Sequence, residues 1–173
     1  MLAITRRGFL VAAAATSLSA CASVPTLQVA GPEDHSPEAL TQASILAEIN
    51  AVRAANGHRP WTYNPALEAA ARTQAHLMAS RDTLSHNLGK TLRQRVTDAG
   101  YIGAVGENVA GGYKTLPATL DGWLASPGHR STLLSDKFVE FGLAFARVPA
   151  TKKSRMGIYW SLIAGGSFAA WLV

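Results

Sequence analysis

Helical spacing fills the first two-thirds of this chain and strand-like alternation the last third, and that order constrains the fold most. Ser36-Pro37-Glu38 supplies an N-cap, a proline at the first helical position and an early acid. Ile45, Leu46, Ile49 and Val52 then recur at helical spacing until Asn56-Gly57 ends the element. Trp61-Thr62-Tyr63 reads as extended, and Asn64-Pro65 opens a second helix with Leu67, Ala71, Gln74 and Met78 on one face. A short helix spans Thr91 to Ala99 and stops at Gly100, and Val105 to Ala110 reads as a strand. Leu116, Leu120, Trp123 and Leu124 mark a fourth helix, which Pro127 terminates because proline disfavours helical geometry in the residue before it. Phe138 to Val148 and Gly157 to Ala164 alternate, and the polar, basic stretch Thr151 to Arg155 between them suits a hairpin loop. Helices first and strands last predict an α+β domain with helices on a small, mostly antiparallel sheet. Trp123 and Trp160 fall at apolar phase positions and are expected in its core.

The N-terminus stands apart from that fold. Thr5-Arg6-Arg7-Gly8-Phe9-Leu10 is a twin-arginine string, followed by an apolar run from Val11 to Ala15 and by Leu18-Ser19-Ala20-Cys21. A basic region, a short apolar core and small residues make an export signal. The apolar core is about ten residues, against the roughly 18 needed to span a bilayer as a helix. Cys21 is the single cysteine, so no intramolecular disulfide is possible. Its Leu-Ser-Ala-Cys setting resembles the bacterial lipobox, which implies cleavage before Cys21 and its acylation. The other reading is ordinary cleavage nearby, leaving a free thiol that an oxidising compartment would attack. The expected organisation is a signal over 1–21, a flexible Pro/Gly/Ser/Thr-rich tether over 22–35 and one domain over 36–173. The expected location is the cell envelope, with the membrane as partner through a lipid on Cys21.

Formal charge is +5, and about +3 once Arg6 and Arg7 are removed with the signal. Lys and Arg are scattered, and aromatic residues do not alternate with them, so nothing beyond a high pI supports a nucleic-acid partner.

Two strings concentrate the candidate chemistry: Gly106-Glu107-Asn108, and Ser126-Pro127-Gly128-His129-Arg130. With Ser85-His86-Asn87 upstream, they distribute two histidines and a carboxylate across the middle of the domain. Asn64-Pro65-Ala66-Leu67, Trp123, Glu140-Phe141-Gly142 and Tyr159-Trp160 complete an ordered set. The set resembles the CAP superfamily (cysteine-rich secretory proteins, antigen 5, pathogenesis-related proteins), over about Leu40 to Gly165. That resemblance implies a three-layer α-β-α sandwich with His86, Glu107 and His129 in a central cavity. Family cavities often hold a second acid, whose place by register after Trp123 falls at Ser126. Glu140 is the nearest substitute, matching an acid common in bacterial relatives.

Each candidate also has a plainer reading. A histidine in a polar turn, such as His86, is ordinarily only solvated. Glu107 sits in an otherwise apolar strand, where an unpaired acid is costly to bury, and a histidine is its natural partner. His129, just past a helix end, would otherwise make only a C-terminal dipole contact. Glu140 fits a structural salt bridge as well as it fits a cavity, since its alternation with Phe138 and Phe141 leaves its facing open. His35, His58 and His76 lack metal spacing and are given no role.

Three function classes follow. The first is a binding module whose cleft takes a small lipid or peptide, with a divalent ion such as zinc on His86 and His129. The second is a hydrolase in which Glu107 or His86 activates water against a peptide or cell-wall bond. The third is an envelope interaction protein without chemistry. No Gly-x-Ser-x-Gly, no usable cysteine and no His-Glu-x-x-His supports the enzyme, so binding leads.

Overall fold

A computed structural model describes residues 36–172; the stretches expected to be export signal and tether, with Cys21 and His35, lie outside them. Along the chain run α1 (Gln42–Ala55), β1 (Thr62–Tyr63), α2 (Pro65–Arg81), α3 (Leu92–Asp98) and β2 (Ala104–Gly111). They are followed by α4 (Leu116–Ala125), α5 (Pro127–Leu133), β3 (Glu140–Arg147) and β4 (Ile158–Gly166), and a short 3-10 turn, Phe168–Trp171. The strands form one sheet in the order β1-β3-β4-β2. β4 pairs antiparallel with β2 and β3, whereas the two-residue β1 pairs parallel with β3. The expected α+β architecture is the one observed.

Alternation along β3 and β4 divides the core into two layers, one on each face of the sheet. Phe141 and Leu143 of β3 and Trp160 and Leu162 of β4 face α1, α4 and α5, where they pack with Ile49, Leu120 and Trp123. Ala144 and Ile163 face the other way, against Leu67, Ala71 and Val96 of α2 and α3. Met78, Val109 and Tyr159 extend that second layer. Trp123 and Trp160 are both buried. α2 lies close against the sheet because Gly142 has no side chain: a Cβ there would sit 2.0 Å from the Glu68 amide nitrogen and 2.3 Å from the Leu67 carbonyl carbon.

Two expected boundaries differ. Ser36-Pro37-Glu38 makes only a 3-10 turn, Pro37–Ala39. The first helix begins at Gln42 because Thr41 forms a capping box with Ser44: the Thr41 hydroxyl accepts from the Ser44 amide, and the Ser44 hydroxyl accepts from the Thr41 amide. Pro127 does end α4, but it also opens a second helix, α5. Its fixed φ and missing N–H suit a first helical position as well as they terminate the preceding one. His129 is therefore inside the first turn of α5 rather than past a helix end.

Candidate functional site

β2 is an edge strand, and its central residue Glu107 turns its side chain toward the α2/α3 layer, where the side chain is 2% exposed. Three elements supply its partners, the weakest being Ser161 of β4, whose hydroxyl donates to Oε1 at 3.4 Å. Arg95 of α3, itself buried, donates from Nη2 to Glu107 Oε1 at 2.5 Å. His86, in the loop after α2, places Nδ1 2.9 Å from Oε2. A carboxylate only accepts, so His86 carries its proton on Nδ1 and a neutral ring leaves Nε2 as a free lone pair. The His86 ring is 58% exposed, so that nitrogen belongs to the surface while its orienting acid belongs to the core.

The loop carrying His86 is itself held down. Arg95 Nη1 donates to the carbonyls of His86 and Lys90, at 3.2 and 2.8 Å. The buried Gln74 of α2 donates through Nε2 to the Ser85 carbonyl. One guanidinium therefore neutralises the acid and anchors the loop that presents the histidine.

His129 approaches from the other side. Asn108, buried on β2 beside Glu107, donates from Nδ2 to the His129 carbonyl at 2.9 Å and ties the first turn of α5 to the strand. The His129 ring lines a surface cleft of about 290 Å³ with Leu84, Val109, Tyr113, Trp123 and Ser126. The two imidazoles are near enough to interact, and their environments pull them apart. The hydrogen bond to Glu107 lifts His86 above the ordinary histidine pKa against the opposing effect of burial. Burial, together with the charge of His86, depresses His129.

Glu140 does not join this group. It faces the α2 layer, as Glu107 does, but stands two strands, about 10 Å, away across the sheet. There it accepts from the Tyr101 hydroxyl at 2.8 Å and from Asn64 Nδ2 at 2.7 Å, bracing the residue that caps α2. Its place is structural, through hydrogen bonds rather than a salt bridge. Ser126 lines the cleft and contributes no charge.

The zinc expectation meets a donor count. Glu107 commits both oxygens, to Arg95 and to His86, which leaves two imidazoles where an open zinc site uses three protein ligands. Among the described residues, no group of three or more His, Cys, Asp or Glu is placed to hold a metal ion. These residues do not fit a resident zinc. His58, given no role from the sequence, pairs with Asp136 at 3.1 Å and takes no part in the site; His76 is exposed on α2.

The family model "CAP: Cysteine-rich secretory protein family" matches residues 46–163, well over half of the chain. The chain belongs to the CAP family. An uncharacterized protein of Bacillus subtilis, YkwD, is 24% identical over 107 residues, covering 60% of this chain and 42% of YkwD. An uncharacterized membrane protein of the same organism, YlbC, is 28% identical over 111 residues, covering 62% and 32%. The chain thus spans less than half the length of either. An extracellular protein containing a SCP domain from Bacillus anthracis superposes with a TM-score of 0.62 at 21% identity, over 79% of this chain and 45% of that one. An outer surface protein from Borrelia burgdorferi gives 0.61 at 22%, over 72% and 91%. These CAP relatives establish the fold.

Proposed function

We propose that this CAP domain is an exported, membrane-anchored binding module that holds a small amphipathic ligand at the β2 edge. The observation that carries the reading is His129 lining a mostly apolar cleft, with His86 near enough to interact with it. His129, kept neutral by burial, can accept or donate one hydrogen bond, while His86, held by Glu107, presents a second polar group. The cleft, about 290 Å³, is at the lower limit of ordinary ligand pockets, which run about 300–1,000 Å³. It suits the side chain of a peptide or a short acyl segment, with the ligand's polar end toward the histidines. The twin-arginine string and Cys21 support export and anchoring, in keeping with the extracellular and outer-surface names of the CAP structures it superposes on.

The hydrolase reading has one observation in its favour: an acid-oriented histidine with a free Nε2 is the base half of a hydrolytic arrangement. Calorimetric titration with octanoate and with an N-acetylated dipeptide separates the classes. Binding to wild type that is lost in His129→Ala supports the module; equal heats in both overturn it, and release of acetate or amino acid during the titration favours the hydrolase. For the anchor, Cys21→Ser should release the domain from membranes, and unchanged membrane partition would remove the lipid. Arg6→Lys with Arg7→Lys should block export by the twin-arginine route.

A further inference from the structure

The described residues carry eight exposed large hydrophobic side chains, and five of them gather at one end of the sheet. This is the end where β2 and β3 begin and β4 finishes, since Ala104 pairs with Gly166 and Glu140 with Gly165. Ile102, just before β2, is 92% exposed, and Val139, just before β3, is also exposed. Phe168, Trp171 and Leu172 follow β4, with Leu172 85% exposed. The segments that carry these side chains pack against one another. A Cβ on Gly103 would touch the Gly166 carbonyl, and one on Gly166 would touch the Lys137 carbonyl.

Two cations belong to the same surface. Arg93 lies over the Phe168 ring, 5.5 Å from its centroid, and donates to the Gly103 carbonyl. Lys137 Nζ lies over the Trp171 ring at 4.7 Å. The acids nearby are committed elsewhere: Asp136 to Arg53 and His58, Glu140 to Tyr101 and Asn64. The surface is therefore aromatic and aliphatic at its centre, positive beside the rings, and without a free carboxylate from these neighbours.

We propose that this end of the sheet docks on an anionic lipid bilayer, inserting Trp171, Phe168 and Leu172 at headgroup depth with Arg93 and Lys137 on lipid phosphates. Trp favours the membrane interface because its ring takes the apolar side while its indole N–H stays wet, Phe and Leu add apolar surface to bury, and juxtaposed Lys and Arg add attraction to anionic headgroups. A second copy of the chain is the poorer occupant, since a two-fold contact would set the same cations against each other. This contact is separate from the histidine edge and from any lipid on Cys21. Ser36, where the described chain begins, lies beside Arg147 and Ile158 at the opposite end of the sheet. The chain from Cys21 to Ser36 reaches at most about 50 Å fully extended, against about 30 Å for the length of β4, so an anchor does not forbid the contact.

Trp171 is its own reporter, because Trp61, Trp123 and Trp160 are buried in the core. The full chain carrying Cys21→Ser is mixed with vesicles of phosphatidylcholine, or of phosphatidylcholine with one quarter phosphatidylglycerol, both made with brominated acyl chains. The expected result is a blue shift and quenching with the anionic vesicles only. The signal should be absent in Trp171→Phe and reduced several-fold in Lys137→Glu, an exposed position where folding is not at risk. No change in Trp171 emission overturns the proposal, as does quenching of equal size with neutral vesicles or in Lys137→Glu. A blue shift that grows with protein concentration and needs no vesicles assigns the surface to self-association and likewise overturns it.

Discussion

His86 and His129 have the same side chain and opposite environments, and that contrast is measurable. Proton NMR titration should place His86 above about 6.5, the unperturbed value, and His129 below it. Glu107→Gln should bring His86 down, because the hydrogen bond to Glu107 is the largest cause of its shift. The stability consequences have opposite signs. His86 stabilises the fold fully below about pH 6.5 and loses that contribution as pH rises through its raised pKa; His129 contributes above about 6.5 and loses it as pH falls through its lowered one. Titration of both at one value would contradict the geometry. Arg95 is the second residue-scale case. Arg95→Ala leaves Glu107 buried with only His86 and a long hydrogen bond from Ser161, and breaking a buried pair from one side costs about 3–5 kcal/mol. Denaturant unfolding should show it, together with a further rise of the His86 pKa, since Arg95 holds that pKa down. A loss within about 0.5 kcal/mol, typical of surface substitutions, would show the pair to be unimportant. Sequence reading found Glu107 and His86 but not Arg95, because an arginine in a short polar helix looks solvated. The signal was its position: Leu92, Val96 and Ala99 define the apolar stripe of that helix, and Arg95 lies on it. Arg53, four residues after Ile49 on α1, repeats the pattern; it is fully buried and hydrogen-bonded to the Arg59 and Leu133 carbonyls.

Elements that bury a long face were legible, and elements held by a few contacts were not. Leu67, Ala71, Gln74 and Met78 of α2 are all buried, as their spacing predicts. α5 has seven residues, too few for a periodicity to stand out from the Ser-Pro-Gly start that equally suits a turn. The facing of Glu140 was open for a related reason, since alternation fixes the parity of a strand only once one residue's side is known, and Phe141 packing on the α1 layer decides it. The α2–sheet contact gives the prediction at this scale. Gly142→Ala must push a methyl into the backbone at Leu67 and Glu68, where neither a rotamer change nor a flexible side chain can yield. Overpacking of this kind costs about 1–3 kcal/mol and occasionally more. α2 should lift, and because Gln74 of that helix holds the loop bearing His86, the His86 NMR signal should shift as well. An alanine variant with unchanged midpoint and unchanged His86 resonance would show that the close approach is not needed.

The two core layers share one sheet, and the strands that pack Trp123 on one face pack Met78 on the other. Neither layer has a sheet of its own, so the domain should unfold as one cooperative unit although its apolar contacts fall into separate clusters. Trp123 is nearly fully buried, and its indole N–H donates to the Val109 carbonyl at 3.2 Å. Trp123→Ala therefore removes packing and orphans a carbonyl, and aromatic-to-alanine changes in cores cost about 3–5 kcal/mol. Met78→Ala, on the far side of the sheet, costs about 2–5 kcal/mol. Each variant should lower the denaturant midpoint with little change in slope, and circular dichroism and tryptophan emission should follow the same transition. The sites lie on opposite faces of the sheet but both border Val109 of β2, so the double variant should depart from the sum of the two by about 0.5 kcal/mol or more. Separate transitions for the two probes, or a Trp123→Ala transition that leaves the α2 layer folded, would mean that the sheet does not couple its faces. The His86–Glu107 site would then be held by the α2 and α3 side alone.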